Sequence, residues 1–231
     1  MIEWRLHPDA EAMADAVCMD MGAIISDALL RRESALLALP GGKTPVAVVE
    51  KLAHLPLDWS EVMIIPGDDR LVAEDSPLSN AAMLKAAFAP TAAMVLPLAA
   101  PEDEYHRAGE MANEALAMLD WPPDLVWLGM GLDGHTASIF PGPDLDAALS
   151  PPDGVRAVGV LPDPLPPEAP VARITLTRPA ICAARQLRVV IAGADKRAIL
   201  ERALLEGAQS ALPIGRVLAD CHQPLVIHWC P

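Results

Sequence analysis

Short aliphatic runs alternate with amphipathic stretches along the chain, and this alternation restricts the fold more than any other feature of the sequence. The aliphatic runs predict buried strands at 35–39, 62–65, 125–128, 155–160, 187–192 and 226–229. The amphipathic stretches predict helices at 8–30, 45–53, 79–88, 102–119 and 195–205. Strands that alternate with helices form parallel sheets joined by crossover helices. The sequence therefore predicts an α/β fold with an open, mainly parallel, Rossmann-like sheet and helices on both faces.

The length, composition and charge predict one domain over residues 1–231. A chain of 231 residues, 52% hydrophobic and 21% charged, is long enough for one sizeable core. Its net charge of -14 repels polyanions, so nucleic acid and anionic membranes are poor partners. We find no apolar run of the roughly 18 to 20 residues that a membrane helix needs, and no signal-peptide pattern at the N-terminus. We expect a cytoplasmic protein that is a monomer or a small homo-oligomer.

The four cysteines predict neither a metal site nor a disulfide framework. Cys18, Cys182, Cys221 and Cys230 contain no C-x-x-C pair, and a chain of this length does not need disulfides to fold. No H-E-x-x-H, H-x-x-E-H or Cys/His cluster occurs either. We therefore expect reduced thiols and no metal.

A glycine-rich turn after the predicted strand at 125–128 carries the main chemical signal. The chain reads D-L-V-W-L-G-M-G-L-D-G-H-T-A-S-I-F-P-G over 124–142. Glycines allow close approach of a ligand to the backbone, and a histidine changes charge near neutral pH. His135 is therefore a candidate catalytic base with Asp133 as its partner. The backbone N–H groups of Gly129, Gly131 and Gly134 are candidate donors to a developing oxyanion.

Two other interpretations of this turn are weaker. The segment 129–134 matches the dinucleotide fingerprint G-x-G-x-x-G, but His135 follows the third glycine at once, and Asp153 lies in a Pro/Gly-rich loop rather than at a strand end. The chain contains no G-x-S-x-G elbow for a nucleophilic serine. A structural or solvated role for the histidine is the remaining alternative.

The segment 39–45 predicts an anion-binding helix N-terminus. A strand ends there in Gly41 and Gly42, and Lys43 and Thr44 open a helix whose free N–H groups and dipole would attract a phosphate. A P-loop would need a glycine where Leu37 stands, so nucleotide binding by that route is rejected. The alternative is that the two glycines only form a tight turn.

Cationic residues elsewhere in the chain are further candidates for phosphate binding. Arg70 lies among carboxylates, where Asp68 or Asp69 could hold it in place, although a surface ion pair is an equal alternative. Arg173 precedes the strand at 187–192, and Lys196 follows that strand at the sheet edge where α/β proteins bind ligands. A solvated lysine is the simpler interpretation of Lys196 taken alone. The proline-rich segment 161–170 predicts a stiff, exposed loop at the border of a site or of the domain.

Together these segments resemble the 6-phosphogluconolactonase family over about residues 39–200. Members of that family carry G-G-x-T-P, D-E-R-x-V followed by S-N, L-G-x-G-x-D-G-H-x-A-S-x-F-P-G, and R-I-T-L-T before G-x-x-K. The chain departs from the pattern at Asp69, where glutamate is usual, and at Pro40, where serine is common. Glucosamine-6-phosphate deaminases are similar in fold but continue D-G-H with I-A-F-N-E-P, whereas this chain continues with T-A-S-I-F-P.

The resemblance implies hydrolysis of 6-phospho-D-glucono-1,5-lactone to 6-phosphogluconate, in the oxidative pentose phosphate pathway, without a cofactor. His135 would be the general base and Asp133 its orienting partner. Phosphate would be held by Gly41, Gly42, Lys43, Thr44, Asp69, Arg70, Arg173 and Lys196. The alternatives are a deaminase or sugar-phosphate isomerase on the same fold and a non-catalytic sugar-phosphate sensor. A sensor of the regulator type should carry a helix-turn-helix and a basic face, which this acidic chain lacks.

Overall fold

The computed structural model describes residues 2–99 and 104–231. In these two ranges the strands are β1 Ile2–Leu6, β2 Ala35–Leu39, β3 Val62–Pro66, β4 Asp68–Arg70, β5 Met94–Val95, β6 Leu125–Leu128, β7 Ala157–Val160, β8 Arg173–Leu176, β9 Gln186–Ala192 and β10 Leu225–Cys230. The helices are α1 Ala10–Arg32, α2 Lys43–Ala53, α3 Asn80–Phe88, α4 Tyr105–Ala117, α5 Leu145–Leu149, α6 Arg178–Cys182, α7 Ala194–Glu206 and α8 Pro213–Ala219. Of the helix predicted at 102–119, residues 102 and 103 lie outside the described ranges. Among the described helices, none is long and apolar enough to cross a membrane.

A seven-stranded parallel sheet forms the centre of the fold, in the order β1-β10-β9-β6-β2-β3-β5. Alternate residues of β2 enter different cores, because successive side chains of a strand point to opposite faces. Leu36 packs in a core that includes residues of α4 and α7. Leu37 packs in a second core that includes residues of α1 and α2. The predicted α/β class, with a parallel sheet and helices on both faces, is confirmed.

A second, three-stranded sheet has the order β4-β8-β7 and is antiparallel. The strand predicted at 155–160 belongs to this sheet as β7, and not to the parallel sheet that the alternation suggested. An aliphatic run indicates burial but not the strand with which it pairs. In the tertiary structure β7 packs on α4 and pairs with β8, which the sequence analysis had not identified as a strand.

Two of the four cysteines correct the prediction of reduced thiols. Cys182, at the end of α6, forms a disulfide with Cys221, which follows α8, and their Cα atoms are 4.6 Å apart. Cys18 and Cys230 are free and buried. The paired cysteines are 39 residues apart in the sequence, and the packing of α6 against α8 brings them together.

Candidate active site

A cavity of about 390 Å³ lies at the carboxyl ends of β9, β6, β2 and β3. The sheet changes direction here, because β2 is followed outward by β3 and β5 while β6 is followed by β9 and β10 on the other side. Such a switch point is where open α/β sheets bind ligands. The cavity is bordered by Pro40, Gly41, Gly42, Thr44, Pro45, Asp68, Arg70, Asn80, Trp127, Gly129, Met130, Gly131, His135, Ala137, Glu168, Arg173, Val190 and Lys196.

The turn after β6 holds His135 and Asp133 as a hydrogen-bonded pair. The Nδ1 atom of His135 is 2.6 Å from Oδ1 of Asp133, and the two side chains are 29% and 49% exposed. A Cβ atom at Gly131 would lie 2.3 Å from the imidazole Nδ1, so only glycine lets the ring lie this close to the turn. Burial by itself would raise the pKa of Asp133, but the hydrogen bonds and the charge interaction with His135 together outweigh it and lower that pKa. The carboxylate is thus kept ionised beside the imidazole.

The N–H groups of Gly131 and Gly134 do not fit the predicted oxyanion role. The N–H of Gly131 donates to the carbonyl of His135 at 3.0 Å, and that of Gly134 donates to the carbonyl of Gly131 at 3.1 Å. The tight turn that positions His135 uses both N–H groups in its own hydrogen bonds. Backbone groups inside a protein are usually paired in this way. Gly129 borders the cavity.

Arg70 is positioned by neutral oxygens rather than by Asp68 or Asp69, contrary to the sequence-based expectation. Its Nη1 donates to the carbonyl of Leu78 and to Oδ1 of Asn80, both at 2.9 Å. Asn80 also donates from Nδ2 to the carbonyl of Asp68 at 2.7 Å. Arg70 therefore keeps its full positive charge available to a ligand.

Asn80 is a site residue that was not among the candidates predicted from the sequence. Its side chain is 3% exposed and borders the cavity. A Cβ atom at Gly41 would lie 1.8 Å from its Oδ1, so the first glycine of the turn after β2 gives space to this amide. The signal in the sequence was the serine-asparagine pair at 79–80, whose second residue joins two parts of the site.

Asp69, expected to bind phosphate, does not border the cavity. Its carboxylate is fully buried and accepts hydrogen bonds from the backbone of Arg70, Asn80 and Ala81 and from the hydroxyl of Ser79. Burial raises its pKa, and the backbone N–H groups oppose that rise. A carboxylate in this position stabilises the start of α3 and the loop that carries Arg70.

Arg173 and Lys196 complete a cationic set with Arg70. Within the described ranges, none of the three has a carboxylate at ion-pair distance. Burial lowers the pKa of both Arg173 and Lys196, which is the effect of a low-dielectric environment on a cation. A cavity with three such cations attracts an anion.

Buried donors without partners surround the same cavity. Among the described residues, Nε of Arg70, Nε of Arg173 and Nε1 of Trp127 are buried and make no hydrogen bond. Buried N–H groups are normally paired, so three donors without a protein partner around one cavity make it a favourable place for the acceptor oxygens of a ligand. Trp127 was missed by the sequence analysis, because a tryptophan in a buried strand resembles an ordinary core residue.

Two helices begin at the cavity without a side-chain cap. The N-cap residues of α2 and α7 are Gly42 and Gly193, and neither makes a capping hydrogen bond. The helices α1, α3, α4 and α6 begin with a side-chain cap, whereas α5 and α8 also lack one. Gly42 and Thr44 border the cavity, so α2 begins at its edge, with Lys43 in the first turn.

The proline-rich loop at 161–170 contributes Glu168 to the cavity wall, so the prediction that this loop borders a site is confirmed. In the described part of the chain, no group of three or more His, Cys, Asp or Glu residues could hold a metal ion.

A further cavity, of about 350 Å³, lies at the amino ends of β2 and β3. Its arginines, Arg32 and Arg185, are both paired with Asp124.

The fold and the cavity define a class of α/β protein with a cation-lined pocket at the switch point of a parallel sheet. The model of the family described as glucosamine-6-phosphate isomerases/6-phosphogluconolactonase matches residues 8–227. The 6-phosphogluconolactonase of Mesorhizobium japonicum is 35% identical, with 99% of this chain and 95% of the relative covered. That of Pseudomonas aeruginosa is 34% identical, with 96% and 92% covered. The chain therefore belongs to the glucosamine-6-phosphate isomerase/6-phosphogluconolactonase family.

A solved structure agrees with this assignment. The crystal structure of a 6-phosphogluconolactonase from Shewanella baltica superposes with a TM-score of 0.91 at 29% identity. The match covers 100% of this chain and 98% of that chain. The parallel sheet and the cavity at its carboxyl edge thus lie in a fold that the family shares.

Proposed function

We propose that the protein hydrolyses 6-phospho-D-glucono-1,5-lactone to 6-phospho-D-gluconate in the oxidative pentose phosphate pathway, as one cytoplasmic domain without metal or cofactor. One observation carries the proposal: a single cavity combines the His135–Asp133 pair with three cations that have no carboxylate partner among the described residues. A phosphorylated lactone needs a base for its carbonyl carbon and cations for its phosphate. Relatives named for this reaction cover nearly the whole chain.

His135 acts as the general base through Nε2, because Nδ1 is engaged by Asp133. It takes a proton from water as the water oxygen attacks C1 of the lactone. When the bond between C1 and the ring oxygen breaks, the imidazolium returns the proton to that oxygen. Asp133 stabilises the imidazolium in between, and such general-base catalysis contributes about 10² to 10⁴-fold.

The cationic side chains hold the rest of the substrate. Arg70, Lys196 and the N–H groups at the start of α2 bind the phosphate. Arg173 and Trp127 offer buried N–H donors to the oxygens of the sugar ring and to the developing oxyanion. Asn80 fixes the guanidinium of Arg70 but does not reduce its charge.

The experiment that tests the proposal measures acid release from freshly generated 6-phosphogluconolactone, with spontaneous hydrolysis subtracted. His135→Ala should lower kcat by about 10² to 10⁴-fold with a small change in KM. The exposed His222 offers a matched control, and His222→Ala should keep wild-type rates. No acceleration by the wild type would exclude the lactonase activity and direct attention to deamination of glucosamine 6-phosphate. Undiminished kcat in His135→Ala would remove this histidine from the mechanism.

A further inference from the structure

The half-buried ring of Phe140 contacts two groups of the active site. The imidazole of His135 stacks on it with centroids 4.1 Å apart and an interplanar angle of 24°. The guanidinium carbon of Arg173 lies 5.0 Å from the centroid of the same ring. Aromatic rings attract cations through their faces, and they stack on other planar groups in offset arrangements. One apolar side chain thus joins the candidate base to one of the candidate binding cations.

The hydrogen bond of His135 leaves its imidazole free to tilt, and the ring of Phe140 restricts that tilt. The hydrogen bond from Nδ1 to Asp133 fixes one edge of the imidazole. A single hydrogen bond allows a ring to tilt about the bonded edge, and His135 is still 29% exposed on the side chain. The stacked ring of Phe140 opposes that tilt because the two planes must stay nearly parallel.

The contacts of Arg173 are similarly incomplete. Its side chain is buried, its Nε has no hydrogen-bond partner among the described residues, and its Nη2 reaches only the carbonyl of Ala169 at 3.3 Å. A buried cation held by one long hydrogen bond has few contacts to fix its orientation. The face of Phe140 supplies a further one.

We propose that Phe140 is a positioning residue that holds the imidazole of His135 and the guanidinium of Arg173 on one aromatic ring, in the orientation that the reaction needs. This inference rests on the proposed lactone hydrolysis, since it assigns Phe140 a role through the base of that reaction. Because misplacement of a reacting group by about 1 Å can cost about 100-fold in rate, loss of the ring affects kcat more than KM. The acyl transfer itself needs no group from Phe140.

The experiment compares kcat and KM for the lactone in Phe140→Leu and Phe140→Tyr. Phe140→Leu should lower kcat by about 10- to 100-fold with a smaller rise in KM, whereas Phe140→Tyr keeps the ring and should restore most of kcat. The sequence contains only one other phenylalanine, Phe88. Phe88 is buried against Trp59 in the core that includes residues of α1 and α2. Phe88→Leu makes the same chemical change there, and it should lower stability without lowering kcat.

A second measurement does not depend on turnover. The ring protons of His135, followed by NMR in the free protein, should show a ring-current shift that Phe140→Leu removes and Phe140→Tyr retains. If Phe140→Leu does not fold, Phe140→Met replaces it, since methionine keeps much of the volume without the ring. Hydrolysis by the wild type that Phe140→Leu does not slow would overturn the positioning role alone. Absence of hydrolysis by the wild type would overturn the proposed function, and the kinetic role of Phe140 with it.

Discussion

At the amino end of the parallel sheet the arginines are paired with aspartates, whereas the cations that border the cavity at the carboxyl end have no such partners in the described ranges. Arg188 binds Asp20, and Arg32 and Arg185 converge on Asp124. Asp124 also accepts the N–H of Leu36 at the start of β2. At the other end, neutral oxygens of Leu78 and Asn80 hold the guanidinium of Arg70. The same residue types thus support the structure at one end and remain available to a ligand at the other.

This difference shows that pairing, and not residue type, separates structural from functional charge in this protein. A buried carboxylate beside a guanidinium neutralises it, so removing one partner leaves an uncompensated charge and costs stability. A cation left without a carboxylate binds an anionic ligand without first breaking an ion pair.

Arg188→Ala should destabilise the fold while leaving the kinetics for the lactone unchanged. Breaking a buried ion pair lowers the free energy of unfolding by about 3 to 5 kcal/mol. The loss in Arg188→Ala should lie near the lower limit of this range, because Arg5 still contacts Asp20. The measurement is urea denaturation at pH 7, with kcat and KM measured on the folded enzyme. A large loss of kcat without loss of stability would contradict the structural role.

Acid should reduce the loss of stability that Arg188→Ala causes. Burial would raise the pKa of Asp20, but the nearby His228 and the hydrogen-bonded guanidinium of Arg188 together outweigh it and hold that pKa well below its usual range. A depressed carboxyl pKa contributes stability that is present above the unfolded-state pKa of about 3.9 and is lost as the pH falls through the folded-state value. The difference in free energy of unfolding between wild type and Arg188→Ala should therefore become smaller below about pH 4. Arg31→Ala removes an exposed pair with Asp27 and serves as the control.

Arg70→Ala should raise KM by about 10- to 100-fold, because a hydrogen bond to a charged group contributes about 1.5 to 3 kcal/mol. The free energy of unfolding should change little, since Arg70 belongs to no ion pair in the described residues. Arg185→Ala provides the matched control at the amino end, where KM should stay at the wild-type value. An unchanged KM in Arg70→Ala would remove this arginine from substrate binding and end the distinction between the two ends.

Lys196 should show the smallest effect, as a pH dependence of phosphate binding. Burial lowers its pKa, so it loses its charge at a lower pH than an ordinary lysine, for which the value is about 10.4. Affinity for 6-phosphogluconate, measured by calorimetry from about pH 7 to 10, should weaken on the order of threefold as the pH rises through this range. Lys196→Arg stays charged and should remove the dependence. An identical slope in both proteins would exclude Lys196 as its source.

The sequence predicted the chemistry of the site better than its arrangement. The turn at 129–135 indicated a histidine and an aspartate near glycines, and the structure brings His135 and Asp133 to 2.6 Å. The same glycines suggested free N–H donors, but the turn that creates the pair uses those of Gly131 and Gly134. Spacing along the chain identifies residues that meet within one turn, whereas hydrogen-bond partners depend on the path of the backbone in space.

Residues that join segments distant in the sequence were harder to recognise. Asn80 joins the loop of Arg70 to the turn at Gly41, and Phe140 joins His135 to Arg173. Asp69 carried the charge expected of a binding residue but is used to stabilise α3. An amide, a phenylalanine or a carboxylate has many possible uses, and only its neighbours select one.

The sequence by itself determined the α/β class, five of the seven strands of the central sheet and several of the chemical groups at its carboxyl edge. Local periodicity and composition record which residues are buried and which turns are tight. The tertiary structure decided the strand order, the separate antiparallel sheet of β4, β8 and β7, and the disulfide between Cys182 and Cys221. It also decided which cations are paired. These features are contacts between residues far apart in the chain, and a local pattern shows that a residue is buried without showing what covers it.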